Sequence, residues 1–400
     1  MKKHIILGIL VGMVMIGCTT SITPPVRSSA SPEAVQETLP PTTQLTLAHP
    51  TTSSQTAGPT QQCFLIDETG VGLRNISRGT ILLGNYPESL FMDISTGNKY
   101  QLPAFGVRAS PDGDKLAYVE YVRDSQGVPT SFLLWVVNAR AEALAQTSFD
   151  EKDFVEIPQT FRWLDNNRLI LRTKKQDTFI VINPFTDERS VVSNELPLLY
   201  TGPGPGLNWR AEYSPDLKQV IYYYVEAKKG GGVVQGSILR DIATKQNLWQ
   251  STGGDESQPA WSPDGKEVAV AGGGQLYLVN RLGQARSVLS TSSPKLAQSP
   301  SWSPNGQYIA FWNDRNLLVY DTKKDRIMDL CIPYGSGAVL PDPPLWTPDS
   351  KQITVLTYTP GQNHGFQVLI DLQKRVAYKI TELPELSNGY FLAAWMKSIP

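Results

Sequence analysis

Histidine and cysteine are scarce in this chain, with three of each among 400 residues. His4 and His49 precede any segment with folding potential, which leaves His364 alone for chemistry inside a folded body. A site built from several histidines is thereby close to excluded. Charge of one sign is also lacking. Thirty-six basic residues stand against 37 acidic ones, so the chain has neither the basic footprint of a nucleic-acid binder nor an acidic tail. Long amphipathic helix patterns are missing from residue 63 onward, and no apolar run is long enough for a permanent bilayer span. Hydrophobic residues still make up 40% of the chain, enough for a packed core.

One apolar run does occur, at the start. Lys2 and Lys3 precede Ile5 to Gly17, and Met15-Ile16-Gly17-Cys18 closes the run. A positive end followed by about a dozen apolar residues is an export signal. The last four residues resemble the lipobox of bacterial lipoproteins, with Met15 in place of the more usual leucine. The resemblance implies cleavage after residue 17 and a diacylglyceryl group on the Cys18 thiol, with acylation of the freed amine by a palmitate-type chain. Two chains anchor stably where one is marginal, since each buried CH₂ contributes about 0.8 kcal/mol. An ordinary signal peptide with an incidental Cys18 is the alternative. Between Thr19 and Gln62 about half the residues are Ser, Thr or Pro and none is aromatic, the composition of an extended tether. The expected organisation is a signal peptide over 1–17, a lipidated and disordered tether over 18–62, and a folded body over 63–400. Thr19 is not the aspartate that retains many lipoproteins at an inner membrane.

Within the body one element recurs: Ala109-Ser110-Pro111-Asp112-Gly113, Tyr213-Ser214-Pro215-Asp216, Trp261-Ser262-Pro263-Asp264-Gly265, Trp302-Ser303-Pro304-Asn305-Gly306 and Trp346-Thr347-Pro348-Asp349, with a weaker copy at Trp163-Leu164-Asp165-Asn166. Proline presets φ, the short polar residue bonds nearby backbone, and glycine accepts positive φ, so each copy is a turn leading into a strand such as Tyr308-Ile309-Ala310-Phe311. A second series consists of apolar strands that end in Asp93, Asn138, Asn183, Asp241, Asn280, Asp321 and Asp371. These seven copies lie roughly 40 to 60 residues apart, the period of a four-stranded blade.

The expected fold is therefore all-β, a β-propeller of four-stranded antiparallel blades. The count is seven if Leu392-Ala393-Ala394-Trp395-Met396 closes the ring as the inner strand of the first blade. Six blades, with residues 63–100 as an irregular cap, is the alternative. The repeats resemble those of TolB-type propellers, also found in prolyl oligopeptidase-like enzymes, over about 330 residues. The resemblance implies an envelope role in binding a partner, without naming the partner, and fold alone does not assign activity.

Asp112, Asp216, Asp264 and Asp349 fall in equivalent turns of different blades and are read as local caps rather than convergent ligands. Trp163, Trp261, Trp302, Trp346 and Trp395 are read as wedges between blades. No G-x-S-x-G elbow is present, which argues against a peptidase, and His364 alone cannot replace the several histidines that hold metal in propeller-type sugar lyases. The clusters at Gly230–Gly232 and Gly272–Gly274 read as hairpin turns. Cys63 and Cys331, an even pair in an exported chain, suggest a disulfide between the end of the tether and a loop after the sixth blade, contributing about 2–4 kcal/mol. Two buried thiols are the other reading.

Loops between consecutive blades carry Phe154, Tyr200, Asp255, Glu256, Tyr334 and Tyr390, aromatics beside carboxylates that could form a binding rim for a protein or glycan. The expectation is a monomeric, non-catalytic binding or scaffold protein. It is exported, held by lipid to the outer face of a bacterial membrane, and binds an envelope protein or glycan with no nucleic acid, metal or cofactor. A carbohydrate-active enzyme using funnel carboxylates is the alternative.

Overall fold

A computed structural model describes residues 59–72, 80–84, 89–94, 96–102, 105–150, 161–172, 178–193, 211–227, 233–251, 258–272, 274–290, 297–313, 316–334, 343–358, 365–380 and 391–397. The chain divides into two units, Met1–Thr46 and Leu47–Pro400, and every described residue belongs to the second. Cys18 and most of the expected tether lie outside the described residues.

The described elements are all strands. β1 (Thr60–Gln61) and β2 (Leu65–Val71) come first, followed by β3 (Thr80–Gly84), β4 (Ser89–Asp93) and β5 (Lys99–Leu102). The second sheet holds β6 (Phe105–Ala109), β7 (Leu116–Arg123), β8 (Pro129–Val137) and β9 (Ala143–Asp150) in that order. The third holds β10 (Phe161–Trp163), β11 (Leu169–Arg172), β12 (Thr178–Asn183) and β13 (Glu188–Ser193). The fourth comprises β14 (Glu212–Tyr213), β15 (Gln219–Ala227), β16 (Val233–Asp241) and β17 (Asn247–Gln250). In the fifth are β18 (Ala260–Trp261), β19 (Glu267–Gly272), β20 (Gln275–Asn280) and β21 (Ala285–Ser290). The sixth has β22 (Ala297–Trp302), β23 (Tyr308–Asn313), β24 (Asn316–Asp321) and β25 (Arg326–Pro333). The seventh has β26 (Leu345–Trp346), β27 (Gln352–Tyr358), β28 (Gly365–Asp371) and β29 (Val376–Ile380). The final strand, β30 (Phe391–Met396), pairs antiparallel with β3 and heads the first sheet, in the order β30-β3-β4-β5. Sheets of four antiparallel strands in this order are consistent with propeller blades.

Two sheets depart from the four-strand expectation. β1 runs parallel to β25 and β2 runs parallel to β29, which makes the sixth and seventh sheets five-stranded. The added strands cover the outer edges, whose unpaired backbone groups would otherwise recruit another chain. Residues 60–62 belong to the folded body, since Gln62 donates its amide to the Asp329 carbonyl at 2.9 Å.

The core lies between sheets. Trp163 packs with Ala117, Val119 and Leu134 of the second sheet, and Trp346 with Trp312 and Val319 of the sixth. Trp302 sits against Ala271 and Leu276 of the fifth, and Trp261 against Ile221 and Leu239 of the fourth. Each ring thus buries its area on the sheet before its own. Close approach also operates within a sheet: a Cβ on Gly236 would lie 2.3 Å from the Ser251 carbonyl oxygen, so β16 and its neighbour meet at a distance only glycine allows.

Candidate functional site

The repeated turns hold themselves together with a device that the motif alone did not reveal. Ser214, Ser262, Ser303 and Thr347 are buried, and each hydroxyl donates to the acidic or amide oxygen two residues on. Each hydroxyl oxygen in turn accepts the amide five residues on, from Gln219, Glu267, Tyr308 and Gln352. Asp216 illustrates the electrostatics. Burial would raise its carboxyl, but hydrogen bonds from Ser214, Arg281 and the Lys218 amide hold it down to about 2. The second series of acids and amides has an equally local task. Asn138, Asn280, Asp321 and Asp371 each accept backbone amides of the hairpin turn that they open. These side chains serve their own turns, and Asp216 also accepts from Arg281 of the next sheet.

The tryptophans carry a hydrogen bond as well as area. Trp163 donates its Nε1–H to the Arg108 carbonyl at 2.9 Å, Trp261 to Glu212 at 3.1 Å, Trp302 to Ala260 at 3.0 Å and Trp346 to Ser301 at 3.1 Å. Each acceptor is the residue preceding the ring position in the previous sheet. Trp395 departs from this pattern and donates to the Thr354 hydroxyl at 2.9 Å.

Aligning the innermost strands on the residue before the ring exposes an asymmetry. Three consecutive sheets carry Arg108, Arg162 and Glu212 there, whereas the next four carry Ala260, Ser301, Leu345 and Ala394. The Arg162 guanidinium bonds both the Glu212 carboxylate and the Ala211 carbonyl, joining the third sheet to the fourth. Gln258 adds a 2.6 Å hydrogen bond to the same carboxylate, and Arg162 lies 6.0 Å from the Tyr213 ring. Burial pushes the Glu212 carboxyl up, opposed by Arg162, the Gln258 amide and Arg108. Burial also pushes up the Tyr213 hydroxyl, which has no hydrogen-bond partner among the described residues. Arg108 is exposed and donates to the Val107 carbonyl. Chemically the Arg162–Glu212 pair is a cross-sheet latch, with the Arg108 charge close enough to act on the same carboxylate.

Of the loop residues expected to form a binding rim, Phe154, Tyr200, Asp255, Glu256 and Tyr390 lie outside the described residues. So do His364 and the Gly230–Gly232 cluster. Tyr334 is half-buried, with its ring 5.2 Å from Trp312, and packs into the core between the sixth and seventh sheets. Gly272 ends β19 and Gly274 precedes β20, so that cluster is a hairpin turn. Cys63 and Cys331 form a disulfide, but Cys331 lies inside β25 rather than in a loop after it, so the bond ties the N-terminal segment to a strand. Among the described residues no group of three or more His, Cys, Asp or Glu is placed to hold a metal ion.

No family model matches the chain. Among solved structures it is similar to oligogalacturonate lyase in complex with manganese, at 13% identity over 76% of this chain and 86% of that one, with a TM-score of 0.49. It is also similar to oligogalacturonate lyase from Vibrio parahaemolyticus, at 14% identity over 76% and 86% and a TM-score of 0.48. TolB from Acinetobacter baumannii matches at 15% identity over 73% and 75%, with a TM-score of 0.40. At these identities and TM-scores no activity follows from the likeness.

Proposed function

We propose that this protein is a lipid-anchored, non-catalytic platform of a bacterial cell envelope that binds a protein or glycan partner. In this reading the seven sheets are the blades of one ring, sealed where β30 joins β3, and Cys18 carries the lipid at the end of a tether. The observation that carries it is the way the N-terminal segment is fastened. β1 pairs with the sixth sheet, Cys63 is bonded to Cys331, Phe64 is buried between the sixth and seventh sheets, and β2 pairs with the seventh. A body so gripped where its leader arrives suits a protein that carries load from an anchor, and the disulfide suits an oxidising compartment.

The commitment of the turn acids to their own backbones supports a binding role over a hydrolytic one. Cell fractionation tests the anchor: Cys18→Ala moves the protein from the membrane fraction to the soluble one, and retention in the membrane overturns the assignment. The enzymatic reading draws on Glu212, whose raised carboxyl is the property of a general acid. Turnover of envelope polysaccharides that vanishes in Glu212→Gln would establish that reading instead.

A further inference from the structure

Six innermost strands carry a large ring at the equivalent position, Trp163, Tyr213, Trp261, Trp302 and Trp346 at the start of a repeat turn and Trp395 on β30, which leads into none. β6 has Ala109 there. By the rule the four indoles follow, a ring at 109 would face the carbonyl of Ala394, the residue before Trp395 on β30. Beside Ala109 is a pocket of about 230 Å³, open to solvent on one side and bounded by Arg108, Ala394, Trp395, Trp346, Pro348 and Pro304, among other residues.

The chain's connectivity accounts for the rest of the opening. β30 heads its sheet without a hairpin turn leading into β3, so no repeat turn stands between those of the second and seventh sheets. Elsewhere each turn glycine rests on the proline of the sheet just before, as Gly265 does on Pro215. Gly113, at φ 74°, reaches past the first sheet, and a Cβ there would lie 2.8 Å from Cγ of Pro348. The Lys397 amide fastens this bridge by donating to the Gly113 carbonyl at 2.8 Å.

We propose that this cavity is a binding site for a flat aromatic small molecule bearing a ring N–H, of the indole type, donating to the Ala394 carbonyl. Dry cavities of about 150 Å³ already take benzene, so this one has room for two fused rings. A carbonyl has two lone pairs and can accept this bond beside its strand partner. The site is independent of the anchor and of any macromolecular partner.

The test uses the full chain in detergent micelles, titrated with indole by calorimetry, with the Ala109→Trp variant in the same micelles as the reference. Saturable one-site binding is expected in the wild type and none in the variant, whose Tm rises by about 2 °C as the cavity fills. On ¹⁵N-tryptophan labelling, the Nε1–H resonances of Trp346 and Trp395 shift with indole while that of Trp249 on β17 stays in place. Benzofuran, which has the same shape but no donor, binds about fivefold more weakly. No saturation by indole, undiminished binding in Ala109→Trp, equal affinity for benzofuran, or shifts confined to other tryptophans would each overturn the assignment. If Ala109→Trp does not fold, Ala109→Phe takes its place and the wild-type resonances decide.

Discussion

Between the third and fourth sheets the place of the indole is taken by Tyr213 and the Arg162–Glu212 pair, whereas on the second sheet that place holds only Ala109, beside a pocket of about 230 Å³ whose wall also takes in Ala394, Trp395, Trp346 and Pro348. The other junctions described above use tryptophan, with its large area and one directed hydrogen bond. The two exceptions show that the ring is replaceable, at different costs. An ion pair fills the space and fixes the sheets against each other, but both charges must give up water. Alanine needs no desolvation and leaves dispersion contacts unmade.

The largest expected effect comes from breaking the first exception. Arg162→Met leaves Glu212 buried without its main partner and should cost about 3–5 kcal/mol in denaturant unfolding at neutral pH. Burial already raises the Glu212 carboxyl above its ordinary value of 4.5, so the folded state holds that proton more readily than the unfolded chain. Without Arg162 the carboxyl rises further, and the deficit should grow as pH climbs above that value. Unfolding at pH 5 and pH 8 checks this, with the smaller deficit at pH 5. Asp216 does not interfere, because the stability it contributes is complete above 3.8 and is lost only as pH falls through about 2.

The same substitution at two equivalent positions sharpens the contrast. Trp302→Phe removes area and the bond to the Ala260 carbonyl at an ordinary junction, and should lose about 1 kcal/mol or somewhat more. Tyr213→Phe removes a buried hydroxyl without a partner among the described residues, and should gain about 0.5–1 kcal/mol. Thermal unfolding of the two variants side by side reads the opposite signs, and like signs would show that the two junctions are not different in kind.

Much of the architecture was legible because it rests on short-range chemistry. The Ser-Pro-Asp turns and the strands ending in Asp or Asn marked the hairpins, and Trp395 marked the strand that pairs with β3. The motif showed the turn aspartates but not the buried hydroxyl that bridges each one to the chain five residues on, since serine is common in turns for several reasons. Arg108, Arg162 and Glu212 were passed over because each precedes a ring position in a strand with no pattern of its own. Stacking the repeats and reading that column would have found them, as a run of charge beside Ala260, Ser301, Leu345 and Ala394. The parallel strands β1 and β2 left no signal, because adding a strand to an outer edge depends on which edges lie open in the folded body.

The amino-acid sequence by itself determined the repeat, its turns, its apolar strands and the rings that separate the sheets, because each depends on residues within a few positions of one another. Only the tertiary structure decided which carbonyl each indole reaches, where two charges meet between sheets, how the leader is strapped to the body, and that one alanine lies beside a pocket. Those outcomes join residues far apart in the chain, as the 45-residue span from Ser301 to Trp346 and the 268-residue span from Cys63 to Cys331 show, and no local preference encodes such distances.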